Sequence, residues 1–312
     1  MNFRIIEYID AIGRYGNMTQ AAKELFITSS ALNQQLLKTE RELGTQLFVR
    51  AKHKLIPTEA GEICLQGIHE MLSIWDRTQT ELQDISGSIK GQLKIGLTYD
   101  HGSELFARIW PVFHDKYPGI NIQCHQLLVP ELLAMIRAGN IDAAFLLGGK
   151  PEGWKGITYI PLSSENLLLG IPRNHTYLAG KNISCDSPLP APDLKNFADD
   201  NFALCLKRST MRTELIDPIF QHAGLRPNVM VESAFNGFLE KLAAEGLCVT
   251  IIPQSQVRDR ENIVWFYLPG TPRFHFGLGC AKNYRPGSAM KYFTELGAAD
   301  AKAHLDFPSP KL

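Results

Sequence analysis

Residues 11–61, AIGRYGNMTQAAKELFITSSALNQQLLKTERELGTQLFVRAKHKLIPTEAG, decide the fold of the first part of the chain. Asn17 is a good N-cap for a short helix, and Thr28 caps a longer helix that should end at Gly44. A helix, a short turn and a second helix with a polar outer face are the features of a helix-turn-helix. The stretch therefore predicts a DNA-binding domain.

The longer helix has one apolar and one polar side. Leu32, Leu36 and Leu43 fall at helical spacing and are predicted to face the core. On the other side, hydroxyl groups suit phosphates, and amide groups suit paired contacts to adenine. The predicted DNA contacts of this helix and its cap are Thr28, Ser29, Ser30, Asn33, Gln34 and Lys38.

A basic turn follows, between predicted strands at 48–50 and 55–57. Such a turn is usually solvated surface, but directly after a helix-turn-helix it indicates a wing. Cations held there can neutralise phosphates or enter a minor groove. The predicted wing contacts are Arg50, Lys52, His53 and Lys54.

The composition is that of a globular protein, with 312 residues, 45% hydrophobic and 21% charged. This excludes a disordered, a collagen-like or a disulfide-scaffold protein. The net charge is zero but uneven, since residues 1–57 hold eight basic and five acidic side chains, and residues 58–89 hold six acidic and one basic. A basic head joined to an acidic segment fits a DNA-binding domain with a distinct following element.

The segment from Thr58 to about Ser86 lacks proline, and apolar or small residues recur in it at alternating spacings of four and three. That heptad pattern predicts a long helix that pairs with a second copy of itself. A long helix packed on its own domain is the alternative. The predicted dimer contacts are Ile68, Met71, Trp75, Leu82 and Ile85.

From residue 91 onward, short apolar strands alternate with helices, which predicts βαβ crossovers on a largely parallel sheet. A second set of strands and helices interrupts the first. We therefore expect two lobes joined by crossing strands near 161–165 and 268–272. Ligands of such α/β folds bind in the crevice at the carboxyl ends of the strands.

The motifs of this sequence, and their order along the chain, resemble those of the LysR-type transcriptional regulators. The first region supplies Ala21-Ala22, Glu40, Leu43-Gly44, Leu47-Phe48, Arg50 and Thr58–Gly61, and the later region supplies 91–120, AGNIDAAFL at 138–146 and EGLCVTIIP at 245–253. The resemblance spans essentially the whole chain. It implies an α/β protein with an N-terminal winged helix-turn-helix, a long dimerisation linker helix and a two-lobed, periplasmic-binding-protein-like effector domain.

This sequence departs from the family pattern at a few positions. Asn33 stands where the family usually has Ser, Ser30 where Pro is common, and Thr39 where Leu is usual. Cys248 replaces a usual Gly. Because Asn33 keeps its hydrogen-bonding capacity, we expect DNA binding to persist with a different preferred sequence.

The resemblance also implies the domain limits. We expect a DNA-binding domain at 1–58, the linker helix at 59–90 and the effector domain at 91–312. Within the last, lobe I covers about 91–163 and 270–312, and lobe II about 164–269.

Three segments are carried over from the family as the effector site. Helix amino termini with hydroxyls suit carboxylates or phosphates, which makes a small anion the leading candidate effector. Asp100 and His101 do not fit a purely anionic ligand. The predicted effector residues are Thr98, Tyr99, Asp100, His101, Gly102, Ser103, Arg208, Ser209, Thr210, Met211 and Asn236.

Catalytic and metal motifs are missing from the sequence. It has no G-x-S-x-G, H-E-x-x-H or Walker A run, and its six cysteines have no zinc spacing. We expect no enzyme activity, no cofactor, no metal, and reduced, mostly buried thiols. A solute-binding protein for transport would explain only the two lobes.

The expected partners are double-stranded DNA at dyad-symmetric promoter sites and a second copy of the chain. A tetramer formed as a dimer of dimers is a family expectation, and RNA polymerase is a further candidate partner. No apolar run approaches the roughly 18 residues of a spanning helix, and no signal peptide is evident. We therefore expect no membrane partner and a cytoplasmic location.

Overall fold

The computed structural model describes residues 3–51, 54–85, 91–181, 187–282 and 284–304. The chain divides into two compact units, one comprising residues 1–85 with 137–140, and the other the remaining residues.

The first unit is a winged helix followed by a long helix. Its elements are α1 (Phe3–Tyr15), α2 (Met18–Glu24), α3 (Ser29–Leu43), β1 (Phe48–Ala51), β2 (Lys54–Pro57) and α4 (Glu59–Ile85). The predicted caps are confirmed. The Asn17 side chain accepts hydrogen bonds from two backbone N–H groups of α2, the Thr28 hydroxyl accepts one from Ala31, and Gly44 ends α3 at φ 70°.

One core prediction for α3 is wrong, since Leu43 is half exposed. The core-facing stripe ends instead at Glu40, which is buried. Its Oε1 accepts hydrogen bonds from the backbone N–H groups of Leu47 (2.8 Å) and Phe48 (3.2 Å). Because the chain entering the wing lies against Glu40, the following turn of α3, with Leu43, is left at the solvent.

The second unit is a mixed α/β structure. Its strands are β3 (Gly91–Leu97), β4 (Ile120–Gln126), β5 (Ala143–Gly148), β6 (Ile157–Pro172), β7 (Asn201–Cys205), β8 (Asn228–Ser233), β9 (Val249–Pro253), β10 (Ile263–Tyr267) and β11 (Arg273–Ala281). Its helices are α5 (His101–Lys116), α6 (Val129–Arg137), α7 (Asp217–His222), α8 (Asn236–Ala244) and α9 (Ser288–His304). A π-helical turn, Arg212–Ile216, leads into α7.

The strands form a nine-stranded sheet in the order β4-β3-β5-β11-β6-β9-β7-β8, with β10 also paired to β6. Strands β3, β4 and β5 pair in parallel, as do β7, β8 and β9, but β6, β10 and β11 pair antiparallel to their neighbours. The expectation of a largely parallel sheet is therefore wrong at its centre.

Strand β6 is the element that joins the two lobes. The crossing segment predicted near 161–165 lies within this one 16-residue strand. Its first part pairs with β11, and its last part pairs with β9 and β10. The side chains near its middle, including Glu165, therefore lie where the lobes meet. Lobe I is the β3, β4, β5 and β11 side of this crossing, and lobe II is the β7, β8, β9 and β10 side.

A cluster of phenylalanines fixes α5 on lobe I. Phe145 of β5 stacks on Phe276 of β11 at 5.8 Å between ring centroids, and Phe293 of α9 contacts Phe145 and Phe113 of α5. All four rings are fully buried. Burial of this size anchors α5 firmly, so its first residue, His101, has a fixed position at the lobe boundary.

Candidate functional site

The turn between α2 and α3 brings an unpredicted aromatic residue to the surface. Phe26 has a φ of 54° and is 95% exposed. A bulky residue with positive φ is uncommon, because its Cβ crowds the backbone. The turn thus carries a solvent-facing ring beside the start of α3.

The outer face of α3 carries most of the predicted DNA contacts. Ser30, Gln34 and Lys38 are exposed, and Ser29 and Asn33 are partly buried. The Thr28 hydroxyl caps the helix and also bonds Ser30 Oγ at 3.1 Å. Leu37, which was not among the predicted contacts, is an exposed apolar side chain on this face and suits a thymine methyl group.

The wing strands form as predicted, paired antiparallel with Ala51 opposite Lys54. Arg50 and Lys54 are exposed. The two other predicted wing contacts, Lys52 and His53, lie outside the described residues. Basic side chains are thus present at the surface on both described strands of the wing.

The heptad-spaced apolar residues of α4 fall into two groups, one buried and one exposed. Ile68 is fully buried in the core of its own winged helix, with Cys64 packed against the same cluster. The prediction of Ile68 as a dimer contact is therefore wrong, because a side chain covered by its own domain is closed to a partner. Further along, Met71, Trp75 and Leu82 are exposed, and Leu82 is 60% exposed. Nothing is described for the side chain of Ile85.

In the second unit, a small cavity of about 50 Å³ lies between the lobes. It lies at the carboxyl ends of β3, β5 and β7, where ligands of α/β folds bind. The predicted effector residues that line it are Thr98, Tyr99, Asp100, His101, Ser209, Thr210, Met211 and Asn236.

The lobes contact each other directly around this cavity. Asp100 Oδ2, at the end of the β3 loop, accepts hydrogen bonds from the backbone N–H and side-chain amide of Asn236, at 2.9 and 2.7 Å. Tyr99 meets Phe235 edge-on at 5.3 Å. The Thr210 hydroxyl donates to the carbonyl of Leu147 at 3.0 Å. The structure is therefore a closed form of the cleft.

Beneath the cavity, His101 is held at the junction of the lobes by buried polar groups. Its Nε2 lies 2.8 Å from Glu165 Oε1 and 3.0 Å from Ser255 Oγ, and the Ser255 hydroxyl also lies within 3.0 Å of Glu165 Oε1. His101 is 2% exposed and Glu165 0%. Burial alone would lower the pKa of His101, but the attraction and hydrogen bond of Glu165 outweigh it and raise that pKa.

This Ser, His and Glu cluster does not have the geometry of a nucleophilic triad. In a triad, the serine and the acid bond different nitrogens of the imidazole. Here both bond Nε2. The cluster therefore joins β6, α5 and the segment after β9 mechanically.

Three of the predicted effector residues do not line the cavity. The Gly102 N–H donates to Thr98 Oγ1 at 3.0 Å, and the Ser103 hydroxyl donates to the Thr98 carbonyl at 3.1 Å, so both serve the turn into α5. The Arg208 side chain is largely exposed and pairs with Glu131 of α6. Arg208 therefore bridges the lobes beside the cavity.

Sequence reasoning missed the apolar walls of the cavity. They come from the ends of β4, β5, β7 and β8, where a strand-end rule applied to every strand would have found them. The missed lining residues are Leu127, Leu128, Val129, Leu147, Cys205, Leu206 and Ala234.

Family models cover both units. The model of the bacterial regulatory helix-turn-helix protein, lysR family, matches residues 3–62, and the LysR substrate binding domain matches residues 86–301. The chain belongs to the LysR family. This LysR protein is accordingly a DNA-binding transcriptional regulator with an effector-binding domain, and members of its family work as oligomers.

The LysR assignment extends to full-length relatives. The regulator is 27% identical to the DNA-binding transcriptional dual regulator OxyR of Escherichia coli K12, over 98% of this chain and 96% of OxyR. It is also 27% identical to the HTH-type transcriptional regulator YybE of Bacillus subtilis, over 84% of this chain and 86% of YybE.

Solved LysR-family structures share the fold. Full-length OxyR C199D from Pseudomonas aeruginosa matches with a TM-score of 0.70 and 18% identity, over 96% of this chain and 98% of that one. CbnR in complex with its target DNA matches with a TM-score of 0.56 and 21% identity, over 96% and 100%. The fold class predicted from the sequence is confirmed.

Potential metal ligands do not cluster in the described parts of this regulator, where no group of His, Cys, Asp or Glu could hold a metal ion. The cysteines within the described ranges are free; Cys205 and Cys248 are buried, Cys124 is exposed, and Cys185 lies outside those ranges. Burial raises the pKa of the Cys205 thiol, which keeps it neutral in the cavity wall. No helix among the described residues is long and apolar enough to cross a membrane.

Proposed function

We propose that this LysR regulator binds dyad-symmetric DNA through α3 and its wing, as a dimer, and that a small molecule in the lobe cleft modulates that binding. The observation that carries the proposal is the exposure of amide and basic side chains on α3 and on the wing. Gln34 and Lys38 on α3 are exposed, as are Arg50 and Lys54 on the wing. Amide groups suit contacts to base edges, and cations suit contacts to phosphates.

In this proposal, the side chains divide by role. Gln34 and Asn33 read base edges, and Ser29 and Ser30 reach phosphates or bases. Lys38, Arg50, Lys52, His53 and Lys54 neutralise phosphates, while Thr28 acts through the cap of α3. Such a surface gives steeply salt-dependent affinity.

In the proposed dimer, the exposed apolar part of α4 packs against α4 of the partner. Met71, Trp75 and Leu82 leave apolar surface at heptad spacing, and exposed apolar surface of this kind is characteristic of interaction sites. Paired α4 helices would hold two α3 helices at half-sites about one duplex turn apart, or a multiple of it. Assembly into a dimer of dimers and contact with RNA polymerase are proposed on the family resemblance.

In this proposal, ligand binding in the cleft between the lobes regulates DNA binding. Ligand binding that changes how the lobes close would change subunit geometry, and with it the spacing or bending of bound DNA. The proposed domain limits are 1–58, 59–90 and 91–312, with the lobes meeting near residues 163 and 270. In this proposal the chain acts through binding alone, without catalysis.

The test is selection of bound fragments from the source genome by the purified full-length chain at low and at moderate salt. We expect enrichment of a dyad-symmetric site, with weaker binding at the higher salt. A Q34A/R50A double variant is the control, and it should lose the enrichment while remaining a folded dimer. A folded wild-type dimer that enriches no site at either salt would contradict the proposal.

A further inference from the structure

The cavity between the lobes is lined by the carboxylate of Asp100, which the neighbouring His101 attracts. The lining residues include no Lys or Arg. His101 already forms an ion pair with the buried Glu165. The described hydrogen bonds of Asp100 come from the neutral amides of Asn236. Both of those bonds go to Oδ2, so Oδ1 keeps its capacity to accept a hydrogen bond.

Of the cations beside the lining residues in the chain, Lys207 is exposed and lies outside the cavity lining, and the two arginines have other partners. Arg208 pairs with Glu131, and Arg212 pairs with Asp217. Arg258, after Ser255, lies 3.6 Å from Glu104 of α5. A ligand anion in the cavity would therefore meet Asp100 without a counter-charge from these side chains.

The direction of the pKa shift of Asp100 agrees with this arrangement. Burial raises the pKa of its carboxyl, although hydrogen bonds from Asn236 and the attraction of His101 oppose that effect. Loss of solvent disfavours a charge unless an opposite charge replaces the water. A positive group beside Oδ1 would favour the ionised form.

The remaining lining restricts the size and polarity of the ligand. A volume of about 50 Å³, at roughly 10–15 Å³ for each water-sized site, holds about four non-hydrogen atoms. The walls are largely apolar, with Leu128, Leu147 and Met211 among them. The hydroxyls of Ser209 and Thr210 donate to Cys205 Sγ and the Leu147 carbonyl. Asp100 is thus the main polar anchor available to a ligand.

We propose that the cleft selects a small cationic ligand, a short alkylammonium group whose nitrogen donates to Asp100 Oδ1 and whose carbon chain lies against the leucine walls. The inference rests on the proposed effector role of the cleft and names its ligand class. A carboxylate ligand is disfavoured because Asp100 itself occupies the N-terminus of α8, where the sequence analysis expected an anion.

The experiment measures ligand binding to the full-length chain by thermal unfolding at constant pH and ionic strength. Three sets matched in their number of non-hydrogen atoms, three and four, are titrated: ethylamine and propylamine; formate and acetate; formamide and acetamide. Wild type is compared with D100N and with D115N. Asp115 is exposed near the other end of α5, so D115N makes the same charge change outside the cavity.

We expect an amine to raise the Tm of wild type and D115N, with binding to D100N weaker by about tenfold or more. The carboxylates should leave the Tm of all three proteins unchanged. The inference is overturned if a carboxylate stabilises the wild type, if the amine stabilises D100N as well as wild type, or if no compound stabilises the wild type.

The same preparations are tested for DNA binding without ligand, which separates this inference from the proposed function. Wild type that binds its site but shows no amine preference overturns the ligand class alone. Wild type that binds no DNA overturns the proposed function, whatever the amines do.

Discussion

Asp100 and Asn236 lie 136 positions apart, yet the Asp100 carboxylate accepts two hydrogen bonds from Asn236, through its backbone N–H and its side-chain amide. The pair joins the loop after β3 to the start of α8 and so connects the two lobes. Because a hydrogen bond to a charged group contributes about 1.5–3 kcal/mol, this contact is a substantial part of what closes the cleft.

A double-mutant cycle of D100A and N236A measures that contact. We expect each single variant to lower the free energy of unfolding, and the two side chains to show a coupling of about 1–2 kcal/mol. Urea unfolding of the four proteins checks it. The exposed pair Asn201 and Asn228, bonded at 2.8 Å, is the control and should couple more weakly. Additive effects of D100A and N236A would contradict the contact.

The buried pair of His101 and Glu165 should make stability depend on pH. Since the folded-state pKa of His101 is raised above 6.5, its charged form stabilises the fold fully below that pH. The contribution is lost as pH rises through the folded pKa, because the imidazolium then gives up the proton that carries its charge. For one proton, the free energy of unfolding changes by at most about 1.4 kcal/mol per pH unit.

Comparison of wild type with H101Q across pH 6 to 9 tests the direction of this pH dependence of stability. The difference in unfolding free energy should be largest at the acidic end and shrink toward the alkaline end. H222Q, which changes an exposed histidine of α7 outside the described ion pairs, is the matched control. If the difference in unfolding free energy between wild type and H101Q grew with pH, the neutral form of His101 would be the one that stabilises the fold.

Glu40 should be essential to the wing. In E40A, two buried backbone N–H groups, of Leu47 and Phe48, lose their acceptor. Each such loss costs about 1–3 kcal/mol. We expect clear destabilisation of the first unit and weaker DNA binding, measured by thermal unfolding and fluorescence anisotropy. E40Q keeps an acceptor oxygen and should lose less. E42A, at an exposed position, should be close to wild type, and equal losses in E40A and E42A would refute this role.

Arg50 and Gln34 should affect DNA binding differently. R50A should weaken binding to all sequences and reduce the slope of log affinity against log salt by about 0.9. Q34A should cost about 1–3 kcal/mol on the preferred site and relax preference at its position. Titrations on matched and mismatched sites at several salt concentrations separate the two. An unchanged salt slope in R50A would remove Arg50 from the phosphate contacts.

Leu82 should matter for self-association. L82K places a charge on the exposed apolar stripe of α4 and should raise the dimer dissociation constant by about tenfold or more. Q66K, at an exposed polar position on the opposite side of α4, is the control and should leave association unchanged. Analytical ultracentrifugation gives both constants. Equal dimerisation of L82K and wild type would show that α4 pairs through another face.

The local sequence was sufficient where structure depends on neighbouring residues. Asn17, Thr28 and Gly44 act as caps because a cap bonds groups only a few positions away. The wing strands are likewise near their predicted positions, since apolar periodicity is a local pattern.

Prediction failed where burial depends on distant elements. Ile68 has the same heptad spacing as Leu82, but α1 and the rest of the winged-helix core cover Ile68 and leave Leu82 exposed. Glu40 is charged yet buried, because backbone N–H groups from the next element meet its carboxylate. No pattern within one helix distinguishes these cases.

The sequence alone therefore determined the family, the order of the elements and some of the chain segments that form the cleft. Only the tertiary structure decided which side chains meet there. Asp100 reaches the start of α8, and His101 meets Glu165 and Ser255, because β6 and β11 carry the chain between lobes. Contacts between residues far apart in sequence depend on how sheets and helices pack, and that packing set the charge of the cavity.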